Sequence, residues 1–327
     1  MSATTLDAPP ASPAQARSQR LRDPAFWADW AALVGLIGLT IVFQSLNSTF
    51  LSSGNVQSIL VAAAILIILS IGQTYTIATG GIDLSVASVM TFAAVVFGWS
   101  FTEGWALPLC MAAAVATGLL AGALNGFIIA KGKIPDFVVT LGSLSAASGL
   151  ALILSDGKPT TVISPFLLKL STQGIGIFGW TFLLALVLAA LTHVLLFNTR
   201  FGTHVLAAGG SAEAATATGI STARIKIAVY TISGTLAGLC GILLVARIGA
   251  SSPAADTTMT LNTVAAVVLG GVSLLGGRAT IIGPVLGALV LTVLVNGLTL
   301  VGVSQFYQPL SVGIVVVLAA LLMRFQK

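Results

Sequence analysis

From residue 28 to residue 323 the chain alternates long apolar runs with short polar, glycine and proline breaks, and most runs approach the ~20 residues a helix needs to cross a bilayer. Repeated ten-residue alternating segments, the mark of a transmembrane barrel, are absent, and an open sheet cannot satisfy its backbone in lipid. The pattern predicts ten helical spans: 28–46, 56–78, 84–99, 105–129, 137–154, 177–197, 224–246, 261–275, 279–300 and 307–323. Spans 84–99 and 261–275 are short for a crossing, so each reads as a half-helix or as leading into re-entrant chain. The expected fold class is an all-α polytopic membrane protein of about ten transmembrane helices, some short or broken. Its organisation is an N-terminal tail over 1–25 and one transmembrane domain over 26–327.

Composition agrees. Apolar residues make up 57% of the chain and charged ones 7%, against about 25% charged in a soluble domain. The net charge of +5 raises the question of nucleic acid, but the basic residues stand singly or in pairs beside apolar runs, and no nucleic-acid patch is implied. They set topology instead. With the N-terminus inside, Arg17, Arg20, Arg22, Lys131, Lys133, Arg200, Arg224, Lys226, Arg278, Arg324 and Lys327 fall on the cytoplasmic side, leaving Lys158, Lys169 and Arg247 outside. Both termini are expected to be cytoplasmic, and the first span to stay as an anchor rather than be cleaved as a signal. Trp27, Trp30, Trp99, Trp105 and Trp180 fall at span ends, where amphipathic rings prefer to lie. Cys110 and Cys240 sit inside apolar runs as small hydrophobes, and His193 and His204 lack partners at ligand spacing, so no metal site is assigned.

The strongest local feature is TGGIDLSVAS over 79–88, where two glycines end one span and Asp83 precedes the next. Capping the following helix accounts for the aspartate; a part in gating or substrate binding, or in a proton or ion relay, are the other roles open to it. LGGVSLLGGR over 269–278 shares the pattern, setting Gly80, Gly81 and Asp83 against Gly270, Gly271 and Ser273, so an internal repeat with a broken helix in each half is an alternative to chance similarity. Glycines at four-residue spacing (Gly118, Gly122 and Gly126; Gly234 and Gly238; Gly283 and Gly287) permit close helix approach.

Two loops exceed turns. The outer one, 155–176, contains Asp156, Lys158 and Pro165; the inner one, 198–223, carries an Ala-rich stretch from Ala212 to Thr218 that suits about two turns of surface helix. Amides and hydroxyls within spans should face the bundle or a wet cavity. Gln73, Tyr75, Asp83, Asn125, Asn262, Ser273 and Asn296 are the candidates for a translocation path or gate, beside Gln44, Gln57, Thr74, Tyr230 and Thr231 as further polar positions. Neutral hydrogen-bonding groups with almost no buried charge suit a neutral polyhydroxylated solute better than an ion or an amino acid. Nothing matches a P-loop, and no catalytic triad or acid pair is present, so the chain is not expected to hydrolyse nucleotide itself.

Four stretches carry a resemblance: IATGGIDLSVAS (77–88), GLLAGALNGFIIAKGKIPDFVVTLGSL (118–144), NTRFGTHVLAAGGSAEAATATGI (198–220) and AAVVLGGVSLLGGRATIIGPVLGALVL (265–291). Over roughly 56–323 the chain resembles the membrane permease subunits of bacterial ABC importers for monosaccharides, of the ribose, xylose, arabinose and galactoside type. That resemblance implies an inner-membrane, non-catalytic subunit working by alternating access with no cofactor of its own. Its implied partners are a second permease subunit in a homodimer or heterodimer, a cytoplasmic ATPase that binds ATP-Mg, and a periplasmic or lipid-tethered sugar-binding protein. Glu213, Ala214, Ala215 and Gly219 look like the family's Glu-Ala-Ala-x-x-x-Gly docking pattern, without its downstream Leu-Pro; Ala87 and Ala279 stand where members commonly have Gly. Permeases for a polyol, nucleoside or other small polar solute, an ion-coupled secondary transporter, and a non-transporting scaffold are the competing readings.

Overall fold

A computed structural model describes residues 24–323. The tail expected over 1–25 lies, up to residue 23, outside the described residues, as do Arg324 and Lys327. The described helices are α1 (Pro24–Leu46), α2 (Ser53–Ala78), α3 (Val86–Thr102), α4 (Leu107–Gly132), α5 (Asp136–Ser155), α6 (Pro165–Thr172), α7 (Trp180–Phe197), α8 (Arg200–Gly210), α9 (Ala212–Ala217), α10 (Thr222–Ile248), α11 (Thr257–Leu269), α12 (Ile282–Leu300) and α13 (Gln308–Met323). Six of them, α2, α4, α5, α7, α10 and α12, are long and apolar enough to cross a membrane. The protein is an all-α polytopic membrane protein, whose described strands are two-residue pairs in loops.

Helix starts follow local chemistry. Ser52, Thr199, Ser211, Ser221 and Asp256 are N-caps whose side-chain oxygens accept backbone N–H bonds from the first turns of α2, α8, α9, α10 and α11. The loops gather into two groups. At one end Asn47 donates to the Leu300 carbonyl at 3.1 Å, Gln57 donates to that of Thr172 at 3.3 Å, and Thr160–Thr161 pairs antiparallel with Ala250–Ser251. At the other, Gly277 N–H donates to the Ala78 carbonyl at 3.0 Å.

Span 261–275 is a short helix followed by non-helical chain, in keeping with its short apolar run: α11 stops at Leu269, Gly271 takes a left-handed φ of 77°, and 270–281 runs without helix to α12. Two sequence expectations change. Residues 198–223 hold α8 as well as the expected short helix, and the outer loop holds α6. The glycine pairs also align differently. Both α2 and α11 close with a bond back to the carbonyl five residues earlier, Gly81 N–H to Thr76 at 3.0 Å and Val272 N–H to Val267 at 3.3 Å. That pattern equates Gly80 with Gly271, one residue off the sequence match, and sets Asp83 opposite Leu274 rather than Ser273.

The second half of α2 is buried on all sides, with Ile65, Ile67, Ile68, Leu69 and Ile71 inside. Helix α10 packs against α2, α3 and α4. Its contact with α4 is backbone to backbone: a methyl group on Gly118 would overlap the Gly234 carbonyl oxygen, and one on Gly234 the Gly118 carbonyl oxygen. Lipid drives helices together weakly, so this van der Waals approach is a main source of the pairing.

Candidate functional site

The chain between α2 and α3 loses its helical hydrogen bonds, and inside a membrane protein such backbone must be satisfied by neighbouring side chains. Helices on several sides do this. With the amide orientation its hydrogen bonds require, the Gln73 carboxamide spans both backbone groups of Asp83, each at 3.1 Å. Thr140 of α5 donates to the Ile82 carbonyl at 3.2 Å. The buried Asp83 carboxylate accepts from Ser85 N–H at 2.9 Å, from the Ser85 hydroxyl at 2.6 Å and, on its other oxygen, from the Ser233 hydroxyl of α10 at 3.1 Å. Asn125 of α4 completes the network by donating to the Ser85 hydroxyl at 3.1 Å. Asp83 thus holds the N-cap residue of α3 instead of capping its first turn directly, and ties the break to α10.

Beside it lies a charged cluster that sequence reasoning missed. Asp136, the first residue of α5, accepts from the Tyr230 hydroxyl at 2.7 Å and pairs with Lys226, both on α10. Gly81 sits against this group, where any side chain would overlap the Asp136 carboxylate and the Tyr230 hydroxyl. The available signal was the Lys226–Tyr230 spacing, which puts both on one helical face. The pair is partly buried, 22% exposed at Lys226 and 18% at Asp136. Lys226→Met is therefore expected to cost about 1–3 kcal/mol, above a surface ion pair, because it strands a partly buried carboxylate. Thermal unfolding in detergent measures this, and an unchanged midpoint would show that the pair contributes nothing.

The remaining candidates are dispersed. Tyr75 donates to the Thr192 carbonyl of α7 at 2.6 Å, and its ring stacks on Phe201 of α8. Asn296 and Asn55 exchange two amide hydrogen bonds of 3.0 Å. Ser273 is half-buried and its N–H donates to the Arg278 carbonyl. Asn262 lines a cavity of about 820 Å³ between α11, α13 and the break, shared with Ile82, Leu84, Asp256 and Gln305. A second cavity, about 440 Å³, lies between Thr79, Lys133, Asp136, Ala208, Ala212 and Lys226. In α9, Ala215 is buried while Glu213, Ala214 and Gly219 are exposed, and Gly219, with φ of 87°, closes the helix. Among the described residues no group of three or more His, Cys, Asp or Glu side chains is placed to hold a metal.

Residues 55–323 match the family described as "Branched-chain amino acid transport system / permease component". The chain is 35% identical to the ribose import permease protein RbsC of Bacillus subtilis, covering 95% of this chain and 97% of that one. It is 35% identical to RbsC of Escherichia coli K12 over 91% of this chain and 94% of that one. It is 34% identical to the autoinducer 2 import system permease protein LsrC of Salmonella typhi, covering 87% and 82%. No solved structure matches the chain. The chain belongs to this family: it is an ABC-transporter permease subunit, the non-catalytic membrane component of an importer for a small polar solute, related to the permeases of sugar and autoinducer import systems.

Proposed function

We propose that this subunit moves a small neutral monosaccharide inward across the bacterial inner membrane by alternating access. The observation that carries the reading is the character of the larger cavity: the neutral Asn262 amide, whose side chain makes no hydrogen bond among the described residues, lines a space of about 820 Å³. An amide there recognises hydroxyls without demanding charge, and an unpartnered amide invites a polar ligand. In this reading Asn262 contacts the solute, Gln73, Asp83 and Asn125 hold the adjoining break as the gate's frame, Tyr75 and Ser273 flank that frame, and Asn296, bonded to Asn55, ties α12 to the opposite end of α2. The ribose import relatives support a sugar, and the autoinducer import relative makes a polyol, nucleoside or other small polar solute the alternative.

The arrangement further supports ten crossings, with α1, α3, α11 and α13 joining the six long helices and both termini cytoplasmic, because the loops fall into two groups at opposite ends. Helix α9 then lies inside, presenting Glu213 and Ala214 to an ABC ATPase that holds ATP-Mg, beside a second permease copy, with a sugar-binding protein delivering from outside. In nanodiscs containing the permease, its ATPase and its binding protein, ATP hydrolysis is expected to rise only when the binding protein carries its sugar, and Asn262→Leu is expected to lower uptake. Uptake that persists without the ATPase and collapses with an ion gradient would overturn the importer reading; stimulation by a non-sugar solute alone would move it to that solute.

A further inference from the structure

Three segments from separate parts of the chain meet at one point through backbone alone. They are the end of α2 at Ala78–Gly80, the loop after α11 at Gly276–Gly277, and the end of α8 at Gly209–Gly210. The Gly277 N–H donates to the Ala78 carbonyl at 3.0 Å, joining the two broken-helix segments. A methyl on Gly209 would overlap that same carbonyl oxygen and stand 2.7 Å from Gly277 N. One on Gly276 would stand 2.8 Å from both the Gly209 oxygen and Gly80 N. No side chain intervenes that could change rotamer and absorb a shift.

The next residue ties this point to α9. Ser211 ends α8, its N–H bonded to the Ala207 carbonyl at 3.1 Å, and starts α9, its hydroxyl accepting from Ala214 N–H at 3.2 Å. Displacement of α9 therefore reaches Gly209 through Ser211 and Gly210 alone. Beyond the junction, segment 79–85 carries Ile82, Leu84 and the Asp83 network, and segment 270–281 is continuous with α11, which carries Asn262. Both lead to walls of the same large cavity.

We propose that Gly209 and Gly276 are positioning residues: through them α8 and α9 move the two broken-helix segments as one unit, so that one docking event changes both walls of the path. This rests on the reading of α9 as the ATPase contact. Coupling requires an element with two arrangements that both sites bias, and the junction is the place where α9 and the path share backbone.

The test compares adjacent glycines. Alanine favours helix at both positions, and a methyl on Gly210 meets nothing nearer than Gly277 Cα at 3.9 Å. In the reconstituted complex with ATPase and binding protein, Gly210→Ala is expected to match wild type. Gly209→Ala is expected to assemble and hydrolyse ATP normally, while solute imported per ATP falls about tenfold, the size of change that losing a modest coupling free energy between docking site and path would give. Unchanged uptake per ATP in Gly209→Ala, or an equal loss in Gly210→Ala, would overturn the proposal. Should Gly209→Ala fail to assemble, amide exchange on the wild-type complex decides. Adding ATPase should protect 211–219, and trapping with a non-hydrolysable ATP analogue should alter 78–81 and 274–278 together. Absent protection at 211–219 overturns the α9 reading and the proposal with it; protection there with neither break responding to nucleotide overturns the proposal alone.

Discussion

Asp83→Ala is expected to destabilise the protein by about 3 kcal/mol, because it removes the acceptor of three buried donors, each costing about 1–3 kcal/mol if left unmet, while relieving part of the burial cost of the carboxyl group. The donors are the Ser85 N–H, the Ser85 hydroxyl and the Ser233 hydroxyl, and none has room to find water. Asp83→Asn should cost about 1 kcal/mol or less, since its remaining oxygen keeps both Ser85 bonds and the Ser233 hydroxyl can rotate to accept from the new amide. The pair also separates two roles. A frame for the break needs only the hydrogen bonds, so Asp83→Asn should retain uptake in proteoliposomes. A proton or ion relay needs the titrating carboxyl group, so loss of uptake in a stably folded Asp83→Asn protein would refute the frame. Thermal unfolding in detergent supplies the stability ranking.

The long apolar helices are legible in the sequence because bilayer thickness imposes one length scale, and Gly-Gly marks where two of the apolar runs break. What cannot be read locally is who meets whom. Asp83 stands out beside two glycines, yet its partners Asn125 and Ser233 lie on α4 and α10, far away in sequence. Asp136 and Lys226 look like ordinary charges at span ends; only the packing of α5 on the break turns them into one cluster. Helix α8 escapes a hydropathy reading because its Gly202, Gly209 and Gly210 look like loop residues, although Gly202 and Gly209 serve close approach, to Leu196 and Ala78. The two glycine pairs show a further limit. Letter matching pairs Gly80 with Gly270, whereas the helix-ending hydrogen bonds pair Gly80 with Gly271, since what the two helix ends share is the left-handed position. Glu213 and Ala214, the residues proposed to dock, stand in the sequence as a family-like motif, and the burial of Ala215 beside them leaves both exposed.

Gly234→Ala is expected to destabilise by about 3 kcal/mol, at the upper end of overpacking costs, because the obstacle is backbone that no rotamer change can clear. Its methyl would overlap the Gly118 carbonyl oxygen and stand 2.7 Å from Gly122 Cα. Gly142→Ala in α5 is the control: nothing lies within 4 Å of its new methyl, and helix propensity favours alanine by up to about 1 kcal/mol, so the sign of the effect should reverse. Gly118→Ala meets the same crossing from the other side. Once one methyl has forced α4 and α10 apart the second finds space already open, so the double variant should cost less than the sum of the singles by more than the ~0.5 kcal/mol scatter of independent sites. Additive costs measured by thermal unfolding would mean that each glycine acts locally and the crossing is not shared. The same separation should reach the break. Ser233 adjoins Gly234 and holds Asp83 at 3.1 Å, so opening the crossing stretches that bond, and Gly234→Ala should cost less in the Asp83→Ala background than alone.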